Sequence, residues 1–411
     1  MVVQTHGGES VMRQGWIGAV LAVLLGACAA CGSSGTQQVL NWGPAHPLGG
    51  TNDAYTLTCS STSTCALWVT HSNATVSTGV PFQSIRLSYI PVSQKNGAFV
   101  QQSPERLPLS GGGTKVGASQ LTGSCAGDGS VCMAFVALTY NPASAGMSEH
   151  DELFIRRNGS WKLLPLPLPG RTLSASVTGV SCTGRSSCYI AGSTKTAAGV
   201  DVAYLARWNG TRWLVLAQVQ GSSFAQFHSL SCSAGNTCIA EYDDGQKLDL
   251  PYESVYAVSG MSVTELRISA SEVPPGSALA AVDCTHGNPC MALLASPSGH
   301  GPDTAFRTAS ISAAGMASVS APYAGKDLLE PVAFTCFSRT YCIAVMQGSS
   351  NGAHASRVSA LVWDSGHWQQ SSSRVLDGPI SAACSAPGVC YVTSTAYAKD
   401  TISSTVQSLA Q

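Results

Sequence analysis

Charged side chains are scarce in this sequence. Asp, Glu, Lys and Arg make up 10% of its 411 residues, and the formal net charge is -1. A protein that binds nucleic acid through its phosphates needs clustered Lys and Arg side chains, and no such cluster is present in the sequence. We therefore expect no nucleic-acid partner.

Long helical patterns and long apolar runs are also missing. Gly and β-branched residues interrupt nearly every window of helical length, so the chain is predicted to be all-β. The apolar stretch from Trp16 to Ala27 follows Arg13 and is too short to span a bilayer as a helix. Its length is typical of a secretory signal, and residues 1–27 are predicted to be a signal peptide. Met12 is an alternative start, because Glu9 and His6 are unusual in the positive head of a signal.

The end of this signal carries a short motif. Leu25-Gly26-Ala27-Cys28 resembles the bacterial lipobox, which implies cleavage before Cys28, acylation of Cys28 and a lipid anchor in the cell membrane. Cys31 is a weaker candidate, because Cys28 would then stand where the motif has Leu, and a plain secretory signal is the alternative. Residues 28–36 are interpreted as a flexible tether, and residues 37–411 as the folded domain.

Cysteine, in contrast, is abundant and periodic. Fourteen of the sixteen cysteines form seven pairs with five or six residues between the members. The first cysteines of successive pairs are 48 to 66 residues apart, a period typical of propeller blades and longer than that of leucine-rich or ankyrin units. An apolar run ends at each first cysteine, a polar loop follows, and a second apolar run begins at the partner cysteine. This pattern predicts a hairpin in each unit.

A second hairpin completes each unit. The third and fourth strands are joined by a tight turn of Asn-Gly type, at Asn158-Gly159, at Asn209-Gly210 or, in the sixth unit, at Asp364-Ser365-Gly366. Seven units of four strands predict a seven-bladed β-propeller. The tryptophans that flank these turns are interpreted as packing between blades rather than as ligand contacts; they are Trp161, Trp208, Trp213, Trp363 and Trp368.

The two ends of the chain complement each other. The seventh unit reaches a third strand and stops at Gln411, whereas Val39 to Trp42 has the pattern of an outer strand. We expect Val39 to Trp42 to pair beside Thr405 to Leu409. This pairing closes the ring and removes exposed sheet edges.

The paired cysteines are predicted to form one disulfide per blade. Two cysteines at the ends of a hairpin loop can bring their Cα atoms within the distance that a disulfide requires, and such bonds persist in an extracytoplasmic, oxidising compartment. Metal binding is the alternative, but zinc ligands come as two close pairs or with matching histidines, so no metal site is predicted. The predicted bridges are Cys59–Cys65, Cys125–Cys132, Cys182–Cys188, Cys232–Cys238, Cys284–Cys290, Cys336–Cys342 and Cys384–Cys390.

The combined pattern of a small residue, Cys, a polar loop, Cys and an NG-x-W hairpin resembles exported bacterial propellers distantly akin to kelch and sialidase-type blades. The resemblance covers residues 37 to 411 and implies the fold but no activity, because propellers host hydrolases, lyases, sensors and binding scaffolds. A sialidase-type Asp-box has one partial counterpart, from Trp363 to Trp368, and the clustered arginines of sialic-acid chemistry are absent from the sequence. No catalytic residue and no cofactor are predicted.

Ligands of propellers usually contact the face where the loops between second and third strands gather, and here these loops vary most. Three of them carry polar clusters. Paired carboxylates there could act on a glycosidic bond or hold calcium, although most surface acids are only solvated. The candidate binding residues are Glu149, His150, Asp151, Glu152, Tyr242, Asp243, Asp244, His300 and Asp303.

Two functional hypotheses follow. The first is a monomeric binding scaffold that presents this loop face to a protein or glycan of the cell envelope and contacts the membrane only through its lipid. The second is a glycoside hydrolase or lyase that acts on polysaccharide with the loop carboxylates. The absence of a recognisable catalytic set favours the first hypothesis, whereas two carboxylates converging at a glycosidase separation would favour the second.

Overall fold

The computed structural model describes residues 40–48, 53–59, 64–72, 85–95, 98–110, 116–140, 148–167, 172–221, 225–243, 254–266, 277–285, 289–297, 304–312, 315–317, 320–324, 330–349, 355–378, 380–398 and 401–410. Residues Val39–Gln411 form one compact unit. The predicted signal peptide, the tether and Cys28 lie outside the described residues and stay predictions. Within the described ranges, no helix is long and apolar enough to cross a membrane.

The described chain of Val39–Gln411 folds into seven antiparallel sheets, which are the blades of the propeller. The first three blades follow one another along the chain. Blade 1 holds β2 (Asp53–Cys59), β3 (Thr64–Ser72), β4 (Ile85–Lys95), β5 (Ala98–Gln101) and β6 (Glu105–Arg106). Blade 2 holds β7 (Val116–Cys125), β8 (Val131–Tyr140), β9 (Ser148–Arg157) and β10 (Ser160–Leu164). Blade 3 holds β11 (Thr172–Gly184), β12 (Ser187–Thr196), β13 (Asp201–Trp208) and β14 (Trp213–Gln220).

The remaining blades repeat this order. Blade 4 holds β15 (Gln226–Cys232), β16 (Thr237–Asp243), β17 (Ser254–Ser259) and β18 (Ser262–Leu266). Blade 5 holds β19 (Ala278–Asp283), β20 (Cys290–Pro297), β21 (Thr304–Ser312), β22 (Gly315–Ala317) and β23 (Tyr323–Ala324). Blade 6 holds β24 (Glu330–Ser338), β25 (Tyr341–Ser349), β26 (Ala355–Asp364), β27 (His367–Gln370) and β28 (Arg374–Asp377). Blade 7 holds β29 (Ile380–Ala386), β30 (Val389–Ala398), β31 (Thr401–Ala410) and the N-terminal β1 (Asn41–Leu48).

Blade 7 confirms the predicted closure of the ring. Its strand order is β1-β31-β30-β29, so the N-terminal strand is the outer strand of the last blade. The predicted bounds were wrong, because β1 begins at Asn41 and continues to Leu48, so only Asn41 and Trp42 of the predicted segment belong to it. Trp42 lies opposite Leu409, and Leu48 lies opposite Ser404. A bulge between Trp42 and Ala45 lets this longer strand keep its register.

Each blade contains one disulfide, as predicted. The seven bridges have Cα–Cα distances of 3.9 to 4.3 Å. They join the end of the first strand to the start of the second, where in blade 1, for example, Cys59 lies directly opposite Cys65. Each bridge therefore staples one hairpin at the same end of its blade.

The first strands form the inside of the ring. The first strand of every blade contacts the first strands of both neighbouring blades. A repeated hydrogen bond joins these strands. In one blade, the side-chain oxygen of the residue before the first cysteine accepts the bond, and in the next blade the backbone N–H of the first cysteine donates it. The pairs are Ser124 with Cys182 (3.1 Å), Ser181 with Cys232 (3.2 Å), Ser231 with Cys284 (2.9 Å) and Asp283 with Cys336 (2.6 Å).

The apolar core lies between adjacent blades. In one cluster, Phe135 and Leu153 of blade 2 pack with Ile190 and Tyr204 of blade 3. Tryptophans extend this packing outward. Trp161 of blade 2 packs against Trp68 of blade 1 with ring centroids 5.7 Å apart, as predicted. Trp208 and Trp213 pair within blade 3 at 5.4 Å, and Trp363 and Trp368 pair within blade 6 at 5.3 Å. The indole N–H groups of Trp42 and Trp213 donate at 2.8 Å to carbonyls of the preceding blade, Ser372 and Pro165.

The outer hairpin turns differ in one respect from the sequence prediction. Asn158 and Gly159 both have positive φ, 50° and 75°, as a two-residue turn of this type requires. At the equivalent place in blade 3, Trp208 lies opposite Trp213, which leaves a four-residue loop. The side-chain oxygen of Asn209 stabilises this wider loop by accepting from the N–H groups of Thr211 and Arg212 at 3.0 Å.

Candidate functional site

The acidic group of blade 2 lies on a strand rather than in a loop. Residues 149–152 belong to β9, where Glu149 pairs with Thr139 and Glu152 with Val136. Successive side chains of a strand point to opposite faces of the sheet, so Asp151 and Glu152 face different blade interfaces. The side chains of Glu149 and His150 lie outside the described residues.

Glu152 has a structural role in the described chain. It is 2% exposed, and its carboxylate accepts hydrogen bonds from the backbone N–H of Ser110 at 3.1 Å and from the Ser110 hydroxyl. Ser110 lies in the connection from blade 1 to blade 2, so this carboxylate ties the connection to β9. Asp151 is half-buried and lies close to Tyr204 of blade 3. Burial of Tyr204 raises the pKa of its hydroxyl, and the negative charge of Asp151 raises this pKa further.

The second predicted cluster is divided between the core and the end of a strand. Tyr242 is buried, and its ring lies 5.6 Å from that of Phe227 and 5.9 Å from that of Tyr256. Asp243 is the last residue of β16, opposite Gln226. Asp244, His300 and Asp303 lie outside the described residues. A ligand at the loop face therefore stays a prediction.

A pocket of about 180 Å³ lies between blades 1 and 2. It is located near the disulfide hairpins and the outer turns, at the end of the blades opposite to the predicted loop face. Its lining includes Thr58, Tyr89 and Gln102 from blade 1, and Cys125, Gly129 and Arg156 from blade 2.

The polar part of the lining includes Arg156, which forms an ion pair across the two blades with Glu105, a residue outside the lining. Arg156 Nε donates to Glu105 Oε2, and Arg156 Nη2 donates to Glu105 Oε1, both at 2.7 Å. The two side chains are 17% and 27% exposed, and Trp161 Nε1 also donates to Glu105 Oε2 at 3.1 Å. The hydrogen bonds that Arg156 donates to Glu105 raise the pKa of Arg156, so the guanidinium stays charged. Both carboxylate oxygens of Glu105 are occupied by these bonds.

The Tyr89 ring lies against the Arg156 guanidinium. The guanidinium carbon lies 5.3 Å from the Tyr89 ring centroid, a cation–π distance, and the rings of Trp68 and Trp161 lie 5.0 and 5.3 Å away. The Tyr89 hydroxyl lies 3.5 Å from Cys132 Sγ and 3.7 Å from Cys125 Sγ. Because bridged sulfurs carry no proton, the hydroxyl is the donor. Burial raises the pKa of Tyr89, while the Arg156 charge opposes this shift.

Arg156 has donors beyond this pair. Its Nη1 lies 3.5 Å from Gly129 O, and no other group among the described residues accepts from Nη1 or from the second N–H of Nη2. A guanidinium has five N–H donors in a planar fork, so two remain for a bound molecule. The arrangement can donate two hydrogen bonds to a small polar group.

Sequence reasoning missed this pocket. Arg156 and Glu105 are 51 residues apart and belong to different blades, so no local motif joins them. The only signal was the doublet Arg156-Arg157 directly before the Asn158-Gly159 turn, in a chain with only 21 Lys and Arg residues.

Comparison with known proteins finds similar solved structures at low sequence identity and no family. No protein-family model matches the sequence, and no curated protein matches it. Among solved structures, the chain is similar to a protein of unknown function from Dyadobacter fermentans, with 11% identity, a TM-score of 0.46 and coverage of 90% of this chain and 97% of that one. It is also similar to the β-propeller domain of the Trilobed protease from Pyrococcus furiosus, with 8% identity, a TM-score of 0.42 and coverage of 90% and 93%. A third similar structure is the parainfluenza virus 5 hemagglutinin-neuraminidase ectodomain, with 9% identity, a TM-score of 0.38 and coverage of 81% and 85%.

Proposed function

We propose that this protein is a binding module of the cell envelope, anchored to the membrane by lipid at Cys28, that holds a protein or glycan partner without transforming it. The observation that carries this proposal is the pocket between blades 1 and 2. Its described lining offers hydrogen-bond donors and apolar surface but no carboxylate and no imidazole, and its two cysteines are in disulfides. Such a lining suits binding rather than acid–base or thiol chemistry.

The disulfides support the proposed location in the cell envelope. Seven bridges suit an oxidising, extracytoplasmic environment, where thiols are not kept reduced. They also staple the hairpins beside the pocket, so its walls are organised before a ligand arrives. Preorganisation lowers the entropy that binding must overcome and favours a recognition role.

The carboxylate that is bound to Arg156 is unsuited to glycoside hydrolysis. Hydrolysis by two carboxylates requires one acid free to donate a proton and a second one about 5 to 10 Å away. Glu105 is already bound through both oxygens to Arg156 and Trp161. Neither oxygen is therefore free to contact a glycosidic oxygen.

An array of defined bacterial envelope glycans, probed with the purified protein, tests the proposal. We expect at least one glycan to be retained and its mass to stay unchanged after prolonged incubation. For protein partners, crosslinking in intact cells is followed by binding of the purified candidate. New reducing ends on a retained glycan would replace the proposal with the hydrolase hypothesis, and an absence of both glycan retention and a reproducible protein partner would refute it.

A further inference from the structure

We propose that the pocket between blades 1 and 2 takes one uncharged sugar unit, an assignment that rests on the proposed binding function. Size is the first argument. Pockets for drug-sized ligands span about 300 to 1,000 Å³, and this one has a volume of about 180 Å³. It has room for a single small unit, at a chain end or a branch, rather than for a length of polysaccharide or peptide.

Charge is the second argument. The Arg156 charge is compensated by Glu105 through two hydrogen bonds of 2.7 Å. A carboxylate or phosphate that approached Arg156 would also meet the Glu105 carboxylate only a few ångströms farther away, so attraction and repulsion nearly cancel. Arg156 therefore provides strong hydrogen-bond donors, while the ion pair as a whole has no net charge to attract an anion. This favours a neutral ligand.

The pattern of donors and acceptors is the third argument. Glu105 uses Nε and one N–H of Nη2, which leaves the outer edge of the Arg156 guanidinium to donate to two neighbouring oxygens. Vicinal hydroxyls of a sugar present such a pair of oxygens. Hydroxyls also need acceptors, and the exposed amide of Gln102 lines the same pocket.

The apolar part of the lining fits the same ligand class. Ala66, Pro91 and Val92 line the pocket together with Cys65 and Cys125. These side chains offer carbon and sulfur surface to the C–H groups of a sugar ring. A ligand with hydroxyls on one side and C–H groups on the other matches this division, whereas a small inorganic anion would leave the apolar wall without a contact.

Ligand-observed saturation-transfer NMR on the purified protein tests the assignment. The probes are the methyl glycosides of glucose, galactose, mannose and N-acetylglucosamine, compared with glucuronic acid and N-acetylneuraminic acid. We expect at least one neutral probe to bind and both acidic probes to bind more weakly. Arg156→Lys keeps the charge but removes the fork, and we expect it to raise the Kd by about tenfold.

Three further variants make the test specific. Gln102→Trp fills the pocket from an exposed rim position, so it should abolish binding without lowering the unfolding midpoint. Arg157→Lys is the matched control, because Arg157 lies on the other face of β9 and donates to Gly210 O at 2.8 Å, so binding should be unchanged. Glu105→Gln leaves Arg156 uncompensated, and acidic probes should gain about fivefold relative to neutral ones.

The outcomes separate this inference from the proposed function. If the glycan array retains the protein but no neutral probe binds, or if Gln102→Trp binds as wild type does, the pocket assignment is wrong while the binding function stands. Tighter binding of acidic than of neutral probes to the wild type also overturns the assignment. If neither the array nor any probe nor any protein partner is bound, both proposals fail.

Discussion

Asp283 provides the most direct test of how the blades are joined. It stands before the first cysteine of blade 5, where blades 2, 3 and 4 have Ser. Asp283 is 6% exposed, and its Oδ2 accepts from Cys336 N in blade 6 at 2.6 Å. Its Oδ1 accepts from Thr285 N at 2.8 Å and from the Thr285 hydroxyl. One carboxylate thus holds its own loop and the next blade together.

Asp283→Ala removes the acceptor of two backbone N–H groups. A buried donor left without a partner costs about 1 to 3 kcal/mol, so we expect the free energy of unfolding to fall by about 2 to 5 kcal/mol. Ser231→Ala removes a single inter-blade bond, to Cys284 N at 2.9 Å, and should cost about 1 to 2 kcal/mol. Asp283→Ser restores the residue that blades 2, 3 and 4 use and should recover part of the loss.

Guanidinium unfolding followed by tryptophan fluorescence, without reductant, measures these differences. The expected order of stability is wild type, then Asp283→Ser, then Asp283→Ala. The reasoning is wrong if Asp283→Ala unfolds at the same denaturant concentration as Ser231→Ala. It is also wrong if Asp283→Ser is as unstable as Asp283→Ala, because the serine acceptor would then contribute nothing.

Three further predictions concern bridges, tyrosines and one glycine. Alkylation without reductant should leave the fourteen paired cysteines unlabelled, and several labelled sites would contradict the pairing. Replacing both Cys182 and Cys188 by Ala should lower the free energy of unfolding, measured by denaturant titration, by about 2 kcal/mol. Burial raises the pKa of Tyr256 from its ordinary 10.0 to about 12. The stability that the protonated Tyr256 contributes is fully present below pH 10 and should decline as the pH rises towards about 12. A thermal unfolding midpoint that does not change over this range would contradict this prediction. A Cβ added at Gly123 would overlap the Trp68 ring, so Gly123→Ala should lower the free energy of unfolding by about 1 to 3 kcal/mol, and an unchanged midpoint in thermal unfolding would show that the ring can move.

The fold could be predicted from the sequence because its signals are local. Each disulfide joins residues only 6 or 7 positions apart, and each hairpin is defined by apolar runs on both sides of a polar loop. Ring closure could be predicted because the seventh unit lacks an outer strand that the N-terminus supplies. The four-residue loop at Asn209 differed from the prediction because its side-chain oxygen takes over backbone hydrogen bonds that a two-residue turn would make.

The candidate site was much harder to predict. The polar run Glu149 to Glu152 has the composition of a loop, but pairing with β8 places it in a strand and the connection at Ser110 buries Glu152. Tyrosine is a common residue in binding sites, but Tyr242 is packed against aromatic rings of its own blade. Composition reports local polarity, whereas exposure depends on which strand and which neighbouring blade cover a side chain.

By itself, the sequence determined the number of blades, the bridges within them and the strand that closes the ring, since each depends on residues close along the chain or on the repeat. Only the tertiary structure decided where the pocket proposed to bind a ligand lies. Glu105 and Arg156 meet at 2.7 Å because blades 1 and 2 pack face to face. Arg156 points towards blade 1 and Arg157 towards blade 3 because side chains alternate along β9. That alternation places one arginine of the doublet in the pocket and the other in the next blade interface.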